Sequence, residues 1–522
     1  MNNKRQATKP ANPAAAPAYY LLTSLFLSGA CSLALEVVGT RLISPFYGSS
    51  IYTWSALITT TLLALAFGYA WGGRLADRSP YLILFSKLLL GAGLTVAAIP
   101  ILREAVLKAS APLGVKLGAI AAAAILVGPA LALLGTLGPI ATRLTTTGAA
   151  DAGRHAGDAW AVSTAGSVLG AALTGFVLVP LWPASRILLV CAAVLIALGA
   201  WGSWLSARRL PLGQLSTCAA CLIFAVRAES RPHPLVKERV ESAYGRIEVL
   251  DSGNKRYLLV NGTAQSAMDP RTGLSDSEYD RALEWMRVLR PDAKRVLALG
   301  LGAGLLPTAL EREGLTVDVY EIDPEIVRVA QKWFGYTPQG AVTIGDARAE
   351  LETRRGTWDL MVLDAFGAES PPAHLFTAEA FGKMREALIP GGVLAVNLVT
   401  AVDGRDGDAW RATYKTLRRA FPSVRAFVAA KPTDGLANVL LFASTGPLDA
   451  PAKDDPRAAV GDASWGPPMA AMLAHELKPA SAEAEEAPVM TDDHAPLDSL
   501  LAGTAARWRA LLQSGMSEVM LR

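Results

Sequence analysis

The sequence predicts a multispan α-helical membrane domain followed by an α/β domain, and three observations carry that prediction. The 522 residues are 52% hydrophobic and only 18% charged, with a mean hydropathy of +0.31; ordinary soluble chains run at ~45–50% and ~25%. Charge is unevenly placed: residues 1–237 hold 18 Lys/Arg and 6 Asp/Glu, whereas the remaining 285 hold 31 and 40. Apolar runs of the roughly 20 residues a bilayer demands all fall in the first part, and strand–helix alternation fills the second. These features exclude a wholly water-soluble protein, a disordered chain and a small disulfide scaffold. Basic residues scattered singly between apolar stretches also exclude a nucleic-acid footprint.

Within the first part, a Pro/Ala-rich tail (1–18) precedes a transmembrane domain over 19–228. Its candidate spans are 19–38, 53–72, 81–101, 117–139, 159–182 and 185–205, with a weaker seventh at 210–227 that contains Gln214, Ser216 and Thr217. The first run is no cleaved signal peptide, because its flank is Pro/Ala and further apolar runs follow. Small residues, as in GSVLGAALTG, predict close helix packing in lipid. The loop GGRLADRSP resembles the cytoplasmic loop of major-facilitator transporters. Placing the amino terminus inside puts nine Lys/Arg in short inner loops and five in outer ones, as the positive-inside rule favours. Seven crossings would then leave the second part outside, away from a cytoplasmic cofactor. Either the seventh segment does not cross or the amino terminus lies outside. Glu36 and Arg41 near the end of the first span are a functional pair or a pair snorkelling to the headgroups. Cys218 and Cys221 form a C-x-x-C with no second pair and no nearby histidine, so neither metal nor redox chemistry is expected there.

A small β subdomain with a connecting helix is expected at 238–290: RIEVL and RYLLV read as two strands joined by the Gly/Asn turn in DSGNK. From 291 to 446 the pattern becomes RVLALG, TVDVYEID, AVTIG, WDLMVLD, GVLAVNLV, VRAFVAA and NVLLFAS, with helical stretches between most of them. This is a mostly parallel sheet covered on both faces, and its last two strands predict an antiparallel edge. Residues 447–522 read as a loosely ordered linker rich in Ala, Pro, Asp and Glu, followed by an amphipathic helix near 497–513. Asp492 and Asp493, just before it, either return to the site's rim or cap that helix.

The first strand of the α/β domain runs into Gly300, Leu301, Gly302, Ala303 and Gly304, where glycines let the backbone turn sharply and approach a ligand. Glu321 ends the next strand, about twenty residues on, where an acid can accept both ribose hydroxyls. Asp346 ends the third strand, within reach of an adenine amino group, and Asp364 ends the fourth. Ligands of open α/β sheets bind outside the carboxyl ends of the strands, so this is a Rossmann-like nucleoside site. The loop lacks the Lys-Ser/Thr of a P-loop, and three carboxylates suit a cation better than a pyrophosphate. S-Adenosylmethionine, or its decarboxylated form, meets that requirement. The five histidines show no ligand spacing, so no metal is expected.

Over about 238–445 these motifs resemble the spermidine synthase family of polyamine aminopropyltransferases, whose catalytic domain is of the methyltransferase type. YGRIEVLDSGNKRYLLVNGTAQSAM is similar to the family's amino-terminal hairpins, with Gln265 at the pocket glutamine. SEYDRAL resembles its tyrosine-bearing helix, with Tyr279 at the tyrosine; ALGLGAG, YEID, GDA and LDAF follow in order. A multispan segment before such a domain occurs among bacterial members, which implies an inner-membrane protein whose catalytic part is cytoplasmic. The resemblance implies Gln265, Gly300, Gly302, Gly304, Glu321, Asp323, Asp346 and Ala347 as cofactor-binding residues and Asp364 and Tyr279 as catalytic ones. It also implies the adenosyl sulfonium as co-substrate, a small-molecule acceptor such as a polyamine, and compatibility with a homodimer.

The chain departs from that pattern in three places. Ala303 replaces the loop aspartate that holds the aminopropyl ammonium, Arg281 stands where a glutamate is common, and AFGAESPP replaces an SSDP-like segment. A diamine needs carboxylates for its far ammonium, because an unpaired buried charge costs several kcal/mol. Putrescine is therefore a doubtful acceptor. Besides aminopropyl transfer with release of methylthioadenosine, three alternatives stay open: a lyase giving methylthioadenosine and a lactone, a methyltransferase, and a non-catalytic sensor or transporter.

Overall fold

The computed structural model describes residues 17–48, 51–78, 81–146, 148, 150–208, 212–229, 234–283, 285–367, 370–404, 407–429, 435–449, 475–479, 486–505 and 507. Residues 1–16 of the Pro/Ala tail lie outside them, as does most of the 447–490 linker. The chain divides into two compact units, one ending at Pro232 and the other running from His233.

The elements among the described residues of the first unit are helices: α1 (Ala18–Tyr47), α2 (Ile51–Arg78), α3 (Leu82–Ser110), α4 (Gly114–Leu126), α5 (Gly128–Gly135), α6 (Leu137–Thr145), α7 (Ala152–Leu173), α8 (Val179–Leu181), α9 (Ala184–Ala207) and α10 (Leu212–Glu229). Among the described residues five helices are long and apolar enough to cross a membrane: α1, α2, α3, α9, and α7 with α8 as one run. The stretch expected as a span at 117–139 is a pair of helices, Lys116–Leu126 and Gly128–Thr145, bent by 51°. Pro129 accounts for the break, since it lacks an N–H and its ring collides with the carbonyl four residues back. The apolar part of α10, Leu212–Val226, is shorter than a span. The small-residue expectation holds at α1 and α7: a Cβ added to Gly166 would lie 1.9 Å from the Phe26 carbonyl oxygen, and one on Gly170 would lie 2.4 Å from that of Ala30. Ser167 Oγ donates to the Gly29 carbonyl at 3.1 Å across the same contact.

The second unit opens with an antiparallel sheet of β1 (Val236–Glu241), β2 (Arg246–Ser252), β3 (Lys255–Val260), β4 (Thr263–Asp269) and β5 (Leu274–Ser275), paired in chain order. The two strands expected from sequence are β2 and β3; three more extend them. Two short helices, α11 (Glu278–Leu283) and α12 (Met286–Leu289), lead to the main sheet.

That sheet contains β6 (Arg295–Leu299), β7 (Thr316–Glu321), β8 (Val342–Ile344), β9 (Trp358–Leu363), β10 (Leu388–Ala401), β11 (Ser423–Val428), β12 (Leu436–Ser444) and β13 (Glu476–Leu477). The helices between them are α13 (Leu305–Arg312), α14 (Pro324–Phe334), α15 (Ala347–Leu351), α16 (Ala378–Ala387) and α17 (Asp408–Ala420), and α18 (Leu497–Leu500) follows. The strand order is β13-β11-β12-β10-β9-β6-β7-β8. β6 to β10 pair in parallel, whereas β12 runs antiparallel to both β10 and β11. This is the methyltransferase-type Rossmann-like order, with its antiparallel edge as expected. β13 corrects the linker reading, because Glu476 and Leu477 pair with Phe427 and Ala426.

Alternate residues of the parallel strands enter two separate cores. Val296, Ala298, Leu360 and Val362 pack on one face, and Leu297, Leu299, Met361 and Leu363 on the other. Burial on both faces explains why these strands read as continuous apolar runs rather than alternating ones. The chain reverses its winding at β6, which has β7 on one side and β9 on the other, so the carboxyl ends of β6 and β9 flank a crevice where ligands collect.

Candidate active site

The crevice is a cavity of about 350 Å³. Its floor is the loop after β6. Gly300 has φ +96°, and a Cβ there would lie 2.5 Å from the Asp364 carbonyl oxygen, so only glycine lets this loop lie against the end of β9. Gly302 also lines the cavity, beside Ser266 of β4. Ser266 Oγ accepts from the Ala303 N–H at 3.3 Å, tying the loop to the small sheet. Gly304 is a correction: it opens α13 with φ +74° and packs against the Tyr336 ring instead of facing the cavity.

Glu321 is buried at the tip of β7. Its Oε2 accepts from the Leu301 N–H at 2.9 Å and its Oε1 from the Asp323 N–H at 2.9 Å. The Ile322 N–H adds a third backbone donor to the carboxylate. Burial raises its pKa, against the pull of these backbone donors. Asp323, read from sequence as a ligand residue, lines the cavity wall, and both its oxygens also have protein partners. One caps α14 through the Glu325 N–H at 3.0 Å, and the other accepts from Ser242 Oγ. Asp346 caps α15 through the N–H groups of Arg348 at 2.9 Å and Ala349 at 3.3 Å, and its Oδ2 lies 2.9 Å from His374 Nε2. Burial pushes this carboxyl upward, but those donors and the imidazole outweigh it and hold the pKa below its ordinary value. Ala347 lines the wall beside it.

Asp364 stands at the end of β9, facing the cavity. Asn397 of β10 donates to its Oδ1 at 2.8 Å and itself accepts from Asn438 at 3.0 Å. Protein encloses the carboxyl so closely that desolvation, only partly offset by Asn397, pushes its pKa up to about 6. A group poised near neutrality in a cleft is what proton transfer requires. Tyr279 on α11 also lines the cavity. Burial and the nearby charges of Asp280 and Asp364, together with its hydrogen bond to Asp280, raise the phenol's pKa well above normal. Gln265 of β4 completes the sequence-predicted set.

Several contributors escaped the sequence reading: Asp280, Tyr244, Ser266, His374 and the supporting Asn397. Asn397 left a signal, as a polar residue within the apolar run GVLAVNLV that proves to be buried. Asp280 left none, since its place depends on how α11 folds over the loop. Asp492 pairs its carboxylate with both terminal nitrogens of Arg348 and accepts from Thr377 Oγ1 at 2.7 Å. Among the described lining residues there is no Lys or Arg, and no three His, Cys, Asp or Glu are grouped to hold a metal ion.

The fold is Rossmann-like and of the methyltransferase type, with its cavity at the strand ends where ligands of such sheets bind. No family model matches the chain, but individual proteins do. The polyamine aminopropyltransferase of Chromobacterium violaceum is 30% identical over 179 residues, covering 32% of this chain and 67% of that protein. The probable polyamine aminopropyl transferase of Bifidobacterium longum is 26% identical over 297 residues, 52% of this chain and 66% of that one. The polyamine aminopropyltransferase of Vibrio vulnificus is 32% identical over 138 residues, 25% and 45%. The chain thus spans just under two thirds of the Bifidobacterium relative and under half of the Vibrio one. Among solved structures, a probable spermidine synthase from Corynebacterium glutamicum matches 44% of this chain and 85% of its own, at 21% identity and a TM-score of 0.37. Spermidine synthase from Thermotoga maritima matches 41% and 74%, at 21% and 0.35. The chain belongs to the spermidine synthase-like, polyamine aminopropyltransferase family.

Proposed function

We propose that the second unit transfers the aminopropyl group of decarboxylated S-adenosylmethionine to an amine and releases methylthioadenosine. One observation carries this reading: Gly302, Glu321, Asp346 and Asp364 converge on one cavity whose described lining holds five carboxylates and neither Lys nor Arg. A cationic donor fits such a lining, whereas the carboxylate of S-adenosylmethionine would find no Lys or Arg to pair with there. Glu321 receives the ribose hydroxyls, Asp346 and His374 frame the adenine edge, and the sulfonium lies between Gly302 and Asp364. The acceptor nitrogen attacks the carbon next to sulfur. The C–N bond forms as the C–S bond breaks, the bonding pair leaves on sulfur, and Asp364 takes the nitrogen's proton. Because the leaving group is already good, alignment supplies most of the acceleration, ~7–11 kcal/mol in favourable cases.

We place the first unit in the bacterial inner membrane. Counting the bent pair as one span gives, with the five long apolar helices, six crossings, an even number that returns the chain to the side of its amino terminus. With the basic short loops inside, the catalytic unit faces the cytoplasm, where its donor is made. Incubation of the full chain with the decarboxylated donor and a panel of amines tests the activity. Methylthioadenosine together with an aminopropylated amine supports it. S-adenosylhomocysteine from S-adenosylmethionine marks a methyltransferase, acceptor-independent methylthioadenosine marks a lyase, and no product leaves a binding role.

A further inference from the structure

With the nucleoside on Glu321 and Asp346 and the sulfur over Gly302, the donor's remaining chain has one direction open to it. The β7 and β8 tips are taken by ribose and base, so the chain runs from the loop toward the wall formed by β4 and α11. Ser266 of β4 stands directly against Gly302, and Gln265, Tyr279 and Asp280 continue that wall. Of the five lining carboxylates, Glu321, Asp323, Asp346 and Asp364 sit at strand ends; Asp280 alone comes from this wall. It is 5% exposed and oriented by hydroxyls, accepting from Ser275 Oγ at 2.6 Å and hydrogen-bonded to the Tyr279 phenol. Ala303, in the loop opposite, carries no charge and is buried in the apolar core.

We infer that Asp280 is the charge-selecting residue of the donor site: it holds the terminal ammonium of the decarboxylated donor and repels a donor that keeps its carboxylate. This rests on the adenosyl-sulfonium reading above. The loop offers no acid at this point, so the countercharge comes from α11, one residue beyond Tyr279. Tyr279 thereby joins the ammonium holder to Asp364, the proton acceptor, and fixes the transferred chain between them. Selectivity of this kind is a difference between two affinities, set by attraction to one ligand and repulsion of the other.

The test compares three ligands on the full-length protein by calorimetry: decarboxylated S-adenosylmethionine, S-adenosylmethionine, and methylthioadenosine, which lacks the charged tail. Wild type should bind the decarboxylated donor more tightly than S-adenosylmethionine. Asp280→Asn should weaken the decarboxylated donor by ~10- to 100-fold, the worth of a hydrogen bond between charged groups. Methylthioadenosine should change less than about twofold, because no charge faces Asp280 in that complex. Asp280→Glu, which keeps the charge, should keep the preference. The ratio is the readout. Equal weakening of methylthioadenosine and donor, an unchanged donor affinity, or a Glu variant no more selective than the Asn variant each overturns the assignment. Failure of wild type to bind any of the three overturns the nucleoside reading itself, a separate outcome.

Discussion

Replacing Asp364 by Asn should abolish turnover and at the same time stabilise the protein. Burial lifts the Asp364 pKa from 3.8 to about 6, so the folded state holds the proton more tightly than the unfolded chain. For a carboxyl raised in this way, the cost of folding is absent below about pH 4 and grows as pH rises through about 6. At about pH 8 both states are ionised, and at ~1.4 kcal/mol per pKa unit the folded state bears up to about 3 kcal/mol. At about pH 5 the same linkage leaves roughly half of that. Asn removes the charge yet keeps a carbonyl for Asn397 to donate to, as it now donates to Oδ1 at 2.8 Å. The variant should therefore be more stable than wild type by up to about 3 kcal/mol at about pH 8, the margin halving at about pH 5. Denaturant unfolding of the ligand-free full chain at the two pH values measures both margins. A variant no more stable than wild type at the higher pH, or a margin that does not shrink at the lower, would refute the placement of Asp364 as a desolvated carboxyl.

Three further predictions follow from the same geometry. The dependence of kcat/KM on pH should rise to a plateau with a midpoint near 6, since Asp364 must be unprotonated to accept; a flat profile from about pH 5 to 8 counts against its role as base. Gly300→Ala should destabilise the second unit by at least ~1–2 kcal/mol from the left-handed backbone alone, with the 2.5 Å approach to the Asp364 carbonyl oxygen adding to it; unchanged unfolding would show that the loop is not confined. Arg348→Ala removes the donor pair on Asp492 and the bond to the His374 carbonyl at 3.0 Å. Amide exchange around 490–501 should then quicken about tenfold, as befits loss of a bidentate charged pair; exchange at the wild-type rate would mean the segment is held by apolar packing alone.

The catalytic unit's fold and most of its site were legible because both follow from local pattern. Runs such as RVLALG and WDLMVLD announce strands buried on both faces, and in a parallel sheet every strand-end acid lands on one edge. Glu321, Asp346 and Asp364 could thus be placed together from spacing alone. Features set by tertiary packing were not legible. Asp323 reads only as a ligand residue, whereas it lines the cavity and also caps the helix starting at Pro324. Gly304 reads as part of the cofactor-binding loop, but the Tyr336 ring is what requires it to lack a side chain. β13 hides in an Ala/Pro-rich stretch because two residues, Glu476 and Leu477, are too few to show any period. The broken helix pair at 126–128 was readable in principle, since Gly128-Pro129 marks it, but overall hydropathy masks a break that leaves apolarity unchanged.

The central claim is that an adenosyl sulfonium sits in the crevice between β6 and β9, held by Glu321. Titration calorimetry of the purified full chain with decarboxylated S-adenosylmethionine tests it most directly. The account predicts saturable uptake at one site per chain in wild type, and a large loss of affinity in Glu321→Gln with the protein still folded. No measurable uptake by folded wild-type protein, or equal affinity in the Glu321 variant, would contradict it.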